Sequence, residues 1–129
     1  PAIKLLWKNK PEDKFVLITD AMRAKHMPDG VSELGGQVVI VKNGEARLEN
    51  GTLAGSVLRM NNAVKNVMGF LGTDLATTVK YASCNPAKNL GVYDLMGSIA
   101  EGKLANLVVV DKDVNVYQTI RCGKVVFEK

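Results

Sequence analysis

The sequence is short of the residues that most site chemistry is built from. It holds one histidine, His26, and two cysteines, Cys84 and Cys122, with no second cysteine near either. One imidazole cannot supply the three or four ligands of a usual hydrolase metal site, and the cysteine spacing makes neither a CxxC redox pair nor a zinc knuckle. Two isolated thiols fit the reduced state of a cytoplasmic protein and give no disulfide framework. Three Phe, three Tyr and one Trp are too few for a base-stacking platform. The 17 basic and 13 acidic residues are scattered, so a net charge of +4 offers nucleic acid no track to follow. No apolar run approaches the roughly 20 residues of a membrane span, and no charged start leads into a hydrophobic segment as in a signal peptide. A glycine-rich phosphate loop and a nucleophilic triad are missing too. Neither a membrane nor nucleic acid is expected as a partner.

What remains is an ordinary globular composition: 129 residues, 47% apolar and 23% charged. That suits one domain, whose folding buries roughly two-thirds of the surface of the unfolded chain. Position 1 is Pro rather than Met, which points to a chain cut from something longer. Residues 2–8 place Ile3, Leu6 and Trp7 at helical spacing, and the polar stretch 9–14 with Pro11 stops the helix. FVLI, residues 15–18, is an apolar run without alternation that predicts a strand covered on both faces, ended by Thr19 and Asp20. A helical turn from Ala21 breaks at Pro28, Asp29 and Gly30.

Between residues 31 and 56 the period is that of strands. QVVIV (37–41), the Asn43-Gly44 signal and residues 46–48 predict a hairpin, with a second turn at Asn50-Gly51. Leu53, Ala54, Gly55 and Ser56 then lead into a helix carrying Met60, Val64, Val67 and Met68. Thr73 or Asp74 caps another, whose apolar side includes Leu75, Val79 and Ala82, and Asn85-Pro86 opens a short one. Strands are expected at 104–110, 116–120 and 125–127, the last two about Cys122-Gly123. The layout is a mixed α and β one.

Asp20 stands out because a carboxylate at the carboxyl end of an apolar strand sits where parallel α/β sheets and barrels place catalytic groups. Capping of the following turn by Thr19 or Asp20 is the alternative. His26 lies in a loop and reads as a solvated or partner-facing residue, and Cys84 on a helix reads as a buried, inert thiol. Gly55, at the expected entrance of a helix, is a place where backbone can approach a ligand closely; a helix start without ligand is the plainer alternative.

VLITDAM over residues 16–22, followed by MPDG, ELGGQ, NGEARLENGTLAGS, NPAKNLGV and GSIAEGKLANLVVVD, closely resembles the C-terminal third of N-acetylglucosamine-6-phosphate deacetylases, members of the amidohydrolase superfamily. The resemblance covers essentially the whole chain in order. The pairing of TDAM with GTLAGS is fairly specific to these deacetylases, whereas GSIAEGKLANLVVVD is shared widely among amidohydrolases. It implies an α/β chain: residues 1–96 as the terminal part of a metal-dependent (β/α)8 hydrolase barrel with an inserted β-hairpin, and residues 97–129 as C-terminal strands of a small β-sandwich domain. Residues 15–18 would form the final barrel strand. The family's general base and acid falls on Asp20, and its substrate-contacting Leu-Ala-Gly segment on Leu53, Ala54 and Gly55. An amino-sugar phosphate as substrate is implied as well, and a homo-oligomer is expected because such a fragment exposes apolar surface that the rest of the barrel would cover. The resemblance also implies a divalent metal, zinc or iron, whose ligands lie outside this chain, which leaves the chain inactive on its own. His26 stands where many relatives have Gly or another small residue and takes no family role. Asn106 stands where many amidohydrolases have Asp. Two other readings are a fragment of an amidohydrolase acting on a related amide, and a non-catalytic, self-associating module.

Overall fold

In the computed structural model, which describes residues 2–129, the chain starts with helix α1 (Ala2–Asn9) and a 3₁₀ turn (Glu12–Lys14). Strands β1 (Gly30–Leu34), β2 (Gln37–Lys42), β3 (Glu45–Leu48) and β4 (Leu53–Gly55) follow, then helices α2 (Met60–Leu71), α3 (Leu75–Ala82) and α4 (Cys84–Asn89). Strands β5 (Leu107–Val110), β6 (Val116–Arg121) and β7 (Lys124–Glu128) end the chain, which is of the α/β class expected. Contacts gather it into two units: Ile18–Ala63, and the residues before Ile18 together with Val64–Lys129.

In Ile18–Ala63 the strands form an antiparallel meander, β1-β2-β3-β4. Alternation decides which face is core. Val39 and Val41 of β2 and Ala46 of β3 are buried, whereas Val38 and Ile40 stay exposed. A slip of one residue would exchange the two faces, so the pattern pins the register. Met22 and Ala24 complete the buried cluster, with Leu48, Ala54 and Val57 packed against it. Each fully buried valine is worth about 1.5–3 kcal/mol, which makes this small cluster the main force closing the meander. Gly35-Gly36 and Asn43-Gly44 turn two of the hairpins with positive φ at both residues, the geometry whose twist matches the flanking strands. The Asp29 carboxylate fastens the second turn by accepting from the Asn43 amide at 2.9 Å.

Tyr81 organises the other unit. It is fully buried, meets Phe15 edge to face with ring centroids 5.1 Å apart, and packs with Val67 inside a shell of Ile3, Trp7, Leu17 and Leu71. Its hydroxyl accepts from Trp7 Nε1 at 3.1 Å and donates to Glu12 Oε1 at 3.3 Å. Burial pushes the phenol pKa up, against the lowering effect of the Trp7 hydrogen bond. Asp74 caps α3 as expected, and hydrogen bonds from Thr77 hold its carboxyl below the usual range. The buried face of α3 is Thr78 and Tyr81, however, and Val79 is exposed. Thr78 is tolerated inside because its hydroxyl bonds to the Asp74 carbonyl and to Thr73 Oγ1, both at 2.8 Å. Strands β5, β6 and β7 form a second antiparallel sheet.

Three expectations need correction. Residues 15–18 form no ladder among the described residues. The backbone is extended at Phe15, but its bonds run to helical residues: Leu17 N donates to the Tyr81 carbonyl at 2.8 Å, and Asn85 Nδ2 donates to the Phe15 carbonyl at 2.8 Å. Only one face is covered, with Phe15 buried, Val16 exposed and Ile18 76% exposed. A strand exists only where a neighbour offers its edge, and no other described segment does so here. Secondly, Leu53–Gly55 is a strand and not the entrance of a helix, since α2 starts at Met60. Thirdly, the strand expected over 104–110 is shorter, because residues 105 and 106 bond to the β6–β7 turn instead: Gly123 N donates to the Ala105 carbonyl and Cys122 N to Asn106 Oδ1. An aspartate at position 106 would accept the same bond.

Candidate active site

Asp20 and Leu53–Gly55 both belong to the Ile18–Ala63 unit. β4 pairs with β3 on one side, Gly55 opposite Ala46 and Leu53 opposite Arg47, with a bulge between. On its other side, just past its end, Ser56 makes an isolated parallel bridge with Ala21, and Met22 N donates to the Ser56 carbonyl at 2.8 Å. Stepping that parallel register back by one residue sets Asp20 level with Gly55. The two segments singled out in the sequence are therefore neighbours.

Asp20 is exposed and has φ 47°, a left-handed backbone uncommon outside glycine but tolerated by Asp and Asn. Its carboxylate makes no hydrogen bond or ion pair among the described residues. It caps no turn: the bonds of the following turn are backbone ones, Lys25 N to the Met22 carbonyl and Met27 N to the Ala24 carbonyl. Leu53 is exposed, Ala54 packs against the core, and Gly55 is half-buried. A Cβ at Gly55 would lie 3.2 Å from Leu34 Cδ2 and 3.3 Å from Met22 Sδ, closer than ordinary van der Waals contact. Sequence reasoning found Gly55 as a point of close approach but not the two side chains that make it so. The only signal for Met22 was its place in the TDAM run.

Chemically, this arrangement offers a carboxylate with free acceptor capacity beside a backbone edge and an exposed leucine. It is not enclosed. A cleft of about 190 Å³ lined by Asp13, Lys14, Val16, Asn85, Lys88 and Asn89, and another of about 360 Å³ over the Asn43 hairpin, include neither Asp20 nor Leu53–Gly55. His26 is exposed, with a left-handed φ of 68°. Among the described residues no three His, Cys, Asp or Glu side chains gather to hold a metal ion, so the donors present do not fit the metal implied by the resemblance. Cys84 is half-buried, Cys122 is exposed, and both thiols are free.

A profile of the Amidohydrolase family matches residues 2–126. The chain belongs to this family. Over 126 residues the amidohydrolase chain is 44% identical to the N-acetylglucosamine-6-phosphate deacetylase of Bacillus subtilis, an alignment covering 98% of this chain and 32% of that relative. It is 41% identical over 107 residues to an N-acetylgalactosamine-6-phosphate deacetylase of Escherichia coli, covering 83% of this chain and 28% of the relative. The crystal structure of the N-acetylglucosamine-6-phosphate deacetylase of Thermotoga maritima matches with a TM-score of 0.87 at 46% identity, over 98% of this chain and 35% of that one. The amidohydrolase chain thus spans about a third of the length of the curated relatives it matches first. Among the described residues no helix is long and apolar enough to cross a membrane.

Proposed function

We propose that this chain is the C-terminal part of an N-acetylglucosamine-6-phosphate deacetylase, whose parent hydrolyses the acetamide of N-acetylglucosamine 6-phosphate to glucosamine 6-phosphate and acetate. The observation that carries the reading is the Ala21–Ser56 bridge, which sets the TDA motif beside Leu53–Gly55. The similarity to deacetylases of this name over nearly the whole chain supports it. In this reading residues 1–96 belong to the end of a (β/α)8 barrel and residues 97–129 to a small β-sandwich. The exposed Val16 and Ile18 of the 15–18 segment then face strands supplied by the rest of the parent. The parent is a cytoplasmic homo-oligomer whose small-molecule partner is an amino-sugar phosphate.

Amide hydrolysis needs a water made nucleophilic, a polarised acetyl carbonyl, and a proton for the departing nitrogen, because an amide anion is too poor a leaving group. Asp20 is the group here that can take the proton from water and return it to the nitrogen. Leu53, Ala54 and Gly55 form part of the wall against which the sugar lies. The divalent metal, zinc or iron, and its ligands belong to the remainder of the parent. The E. coli relative makes the galacto epimer the competing substrate, and comparison of kcat/KM for the two sugars decides between them.

The test is Asp20→Asn in the full-length parent. Asn accepts a left-handed backbone as Asp does, so the substitution removes the proton acceptor and leaves the chain path alone. Turnover should fall roughly 100- to 10,000-fold with substrate still bound, the range for loss of a general acid–base group. Unchanged turnover would remove Asp20 from the reaction.

A further inference from the structure

We propose that Met22, with Leu34, is a positioning residue for Asp20, acting through a clamp on Gly55; this rests on the reading of Asp20 given above. Among the described residues the Asp20 side chain has no hydrogen-bond or ion-pair partner, so what this chain contributes to its placing is the backbone on which it stands. Met22 supplies that anchor two residues on. It is 8% exposed, packs with Ala24, Val39, Val41 and Ala46, and its amide donates to the Ser56 carbonyl at 2.8 Å. A Cβ placed on Gly55 would lie 3.3 Å from the Met22 sulfur and 3.2 Å from the Leu34 Cδ2 methyl, so both side chains close over this glycine.

The contact ties the two segments together. The Met22 and Leu34 side-chain ends lie over the face of Gly55 that carries no side chain, so their packing there depends on that residue staying small. Moving residues 20–22 away from β4 would break the Ser56 bond and open a void beneath Met22. The Gly55 backbone is not left-handed, so a larger residue there would meet the crowding of these two side-chain ends rather than strain in φ. A proton-transfer group displaced by about 1 Å can lose about 100-fold in rate, so a clamp two residues from the carboxylate is placed to matter.

The experiment compares Met22→Ala, Met22→Leu, Gly55→Ala and the double variant Met22→Ala/Gly55→Ala in the full-length parent, each with kcat, KM and thermal midpoint. Met22→Ala should lower kcat about tenfold or more while KM changes less than about threefold, and Met22→Leu, which refills the volume, should stay within about threefold of the parent. The new methyl of Gly55→Ala should recover part of the loss in the double variant, a non-additive result expected of residues in contact. Should Met22→Ala not fold, Gly55→Ala against Gly55→Ala/Leu34→Ala carries the same comparison, with recovery in the double variant expected. A lower thermal midpoint with unchanged kcat would show Met22 to be purely structural and overturn the proposal, as would a double variant no better than the worse single one. If Asp20→Asn abolishes turnover while Met22→Ala keeps it, the clamp fails and the deacetylase reading stands. If Asp20→Asn is fully active, that reading has failed first.

Discussion

Replacing Tyr81 with Phe removes one oxygen from the centre of the larger unit and leaves everything else in place, so its cost can be worked out from the geometry. The hydroxyl makes two hydrogen bonds, to Trp7 Nε1 at 3.1 Å and Glu12 Oε1 at 3.3 Å. A net hydrogen bond contributes about 0.5–1.5 kcal/mol. Both partners reach water, which can take over the vacated positions, so Tyr81→Phe should cost about 1–2 kcal/mol in total. The edge-to-face contact with Phe15 survives this change. Tyr81→Ala removes the buried ring itself and should cost about 3–5 kcal/mol. Trp7 is the only tryptophan, and it touches the altered group, so its fluorescence in a urea titration reads the effect directly. With a slope of about 1–3 kcal/mol per molar urea, the Phe variant should shift the midpoint by roughly 0.3–2 M at unchanged slope. A Phe variant as stable as the parent would mean that the two bonds contribute nothing. One as damaged as the Ala variant would mean that the ring packing is not what holds α3 to the 15–17 segment.

Other outcomes follow from the same structure. Hydrogen bonds from Thr77 to Asp74 and from Asn115 to Asp111 hold both carboxyls below the ordinary aspartate range. Their stabilisation is therefore present above about pH 4 and lost as the pH falls through the folded-state values, so Asp74→Asn with Asp111→Asn should flatten the acid limb of a circular-dichroism unfolding curve; an unchanged limb would refute this. Burial raises the Tyr81 phenol, so its contribution holds below about pH 10 and is lost above it, and Tyr81→Phe should blunt alkaline unfolding. Gly97 has φ 95°, and a Cβ there would lie 2.5 Å from Ala87 Cβ and 3.1 Å from the Ser83 carbonyl oxygen. Gly97→Ala should then cost about 2–4 kcal/mol from overpacking and left-handed strain together, seen as a lower urea midpoint, and a neutral result would contradict this packing. The 129-residue chain alone, supplied with zinc or iron, should release no acetate from N-acetylglucosamine 6-phosphate in a coupled acetate assay; measurable release would show that a complete reaction centre lies within it.

The hairpin over residues 37–48 was legible because two local signals agreed: buried Val39 and Val41 alternate with exposed neighbours, and Asn-Gly selects its turn. The cap at Asp74 was legible for the same reason, being an interaction across three residues. What failed depended on distant chain. Leu-Ala-Gly carries no strand pattern of its own, and β4 exists because β3 offers it an edge. FVLI carries a strong strand pattern, yet a ladder needs a partner, which these residues do not meet. The candidate site divides in the same way. Asp20 could be picked out from its place after an apolar run. Its adjacency to Gly55 came only with the Ala21–Ser56 bridge, and the clamp of Met22 was hidden because one methionine beside apolar residues looks like any core residue.

The sheet β5-β6-β7 shows water apolar side chains on both of its faces: Val108 and Val109 in β5, and Val125, Val126 and Phe127 in β7 are each about half exposed. Among the described residues its outer strands also leave unpaired backbone along two rims, a combination that invites copies to join rim to rim. For anyone producing this polypeptide, yield in the soluble fraction should therefore depend on these two outer strands. A single gatekeeper such as Val126→Lys, on one face and close to the rim, is the economical remedy.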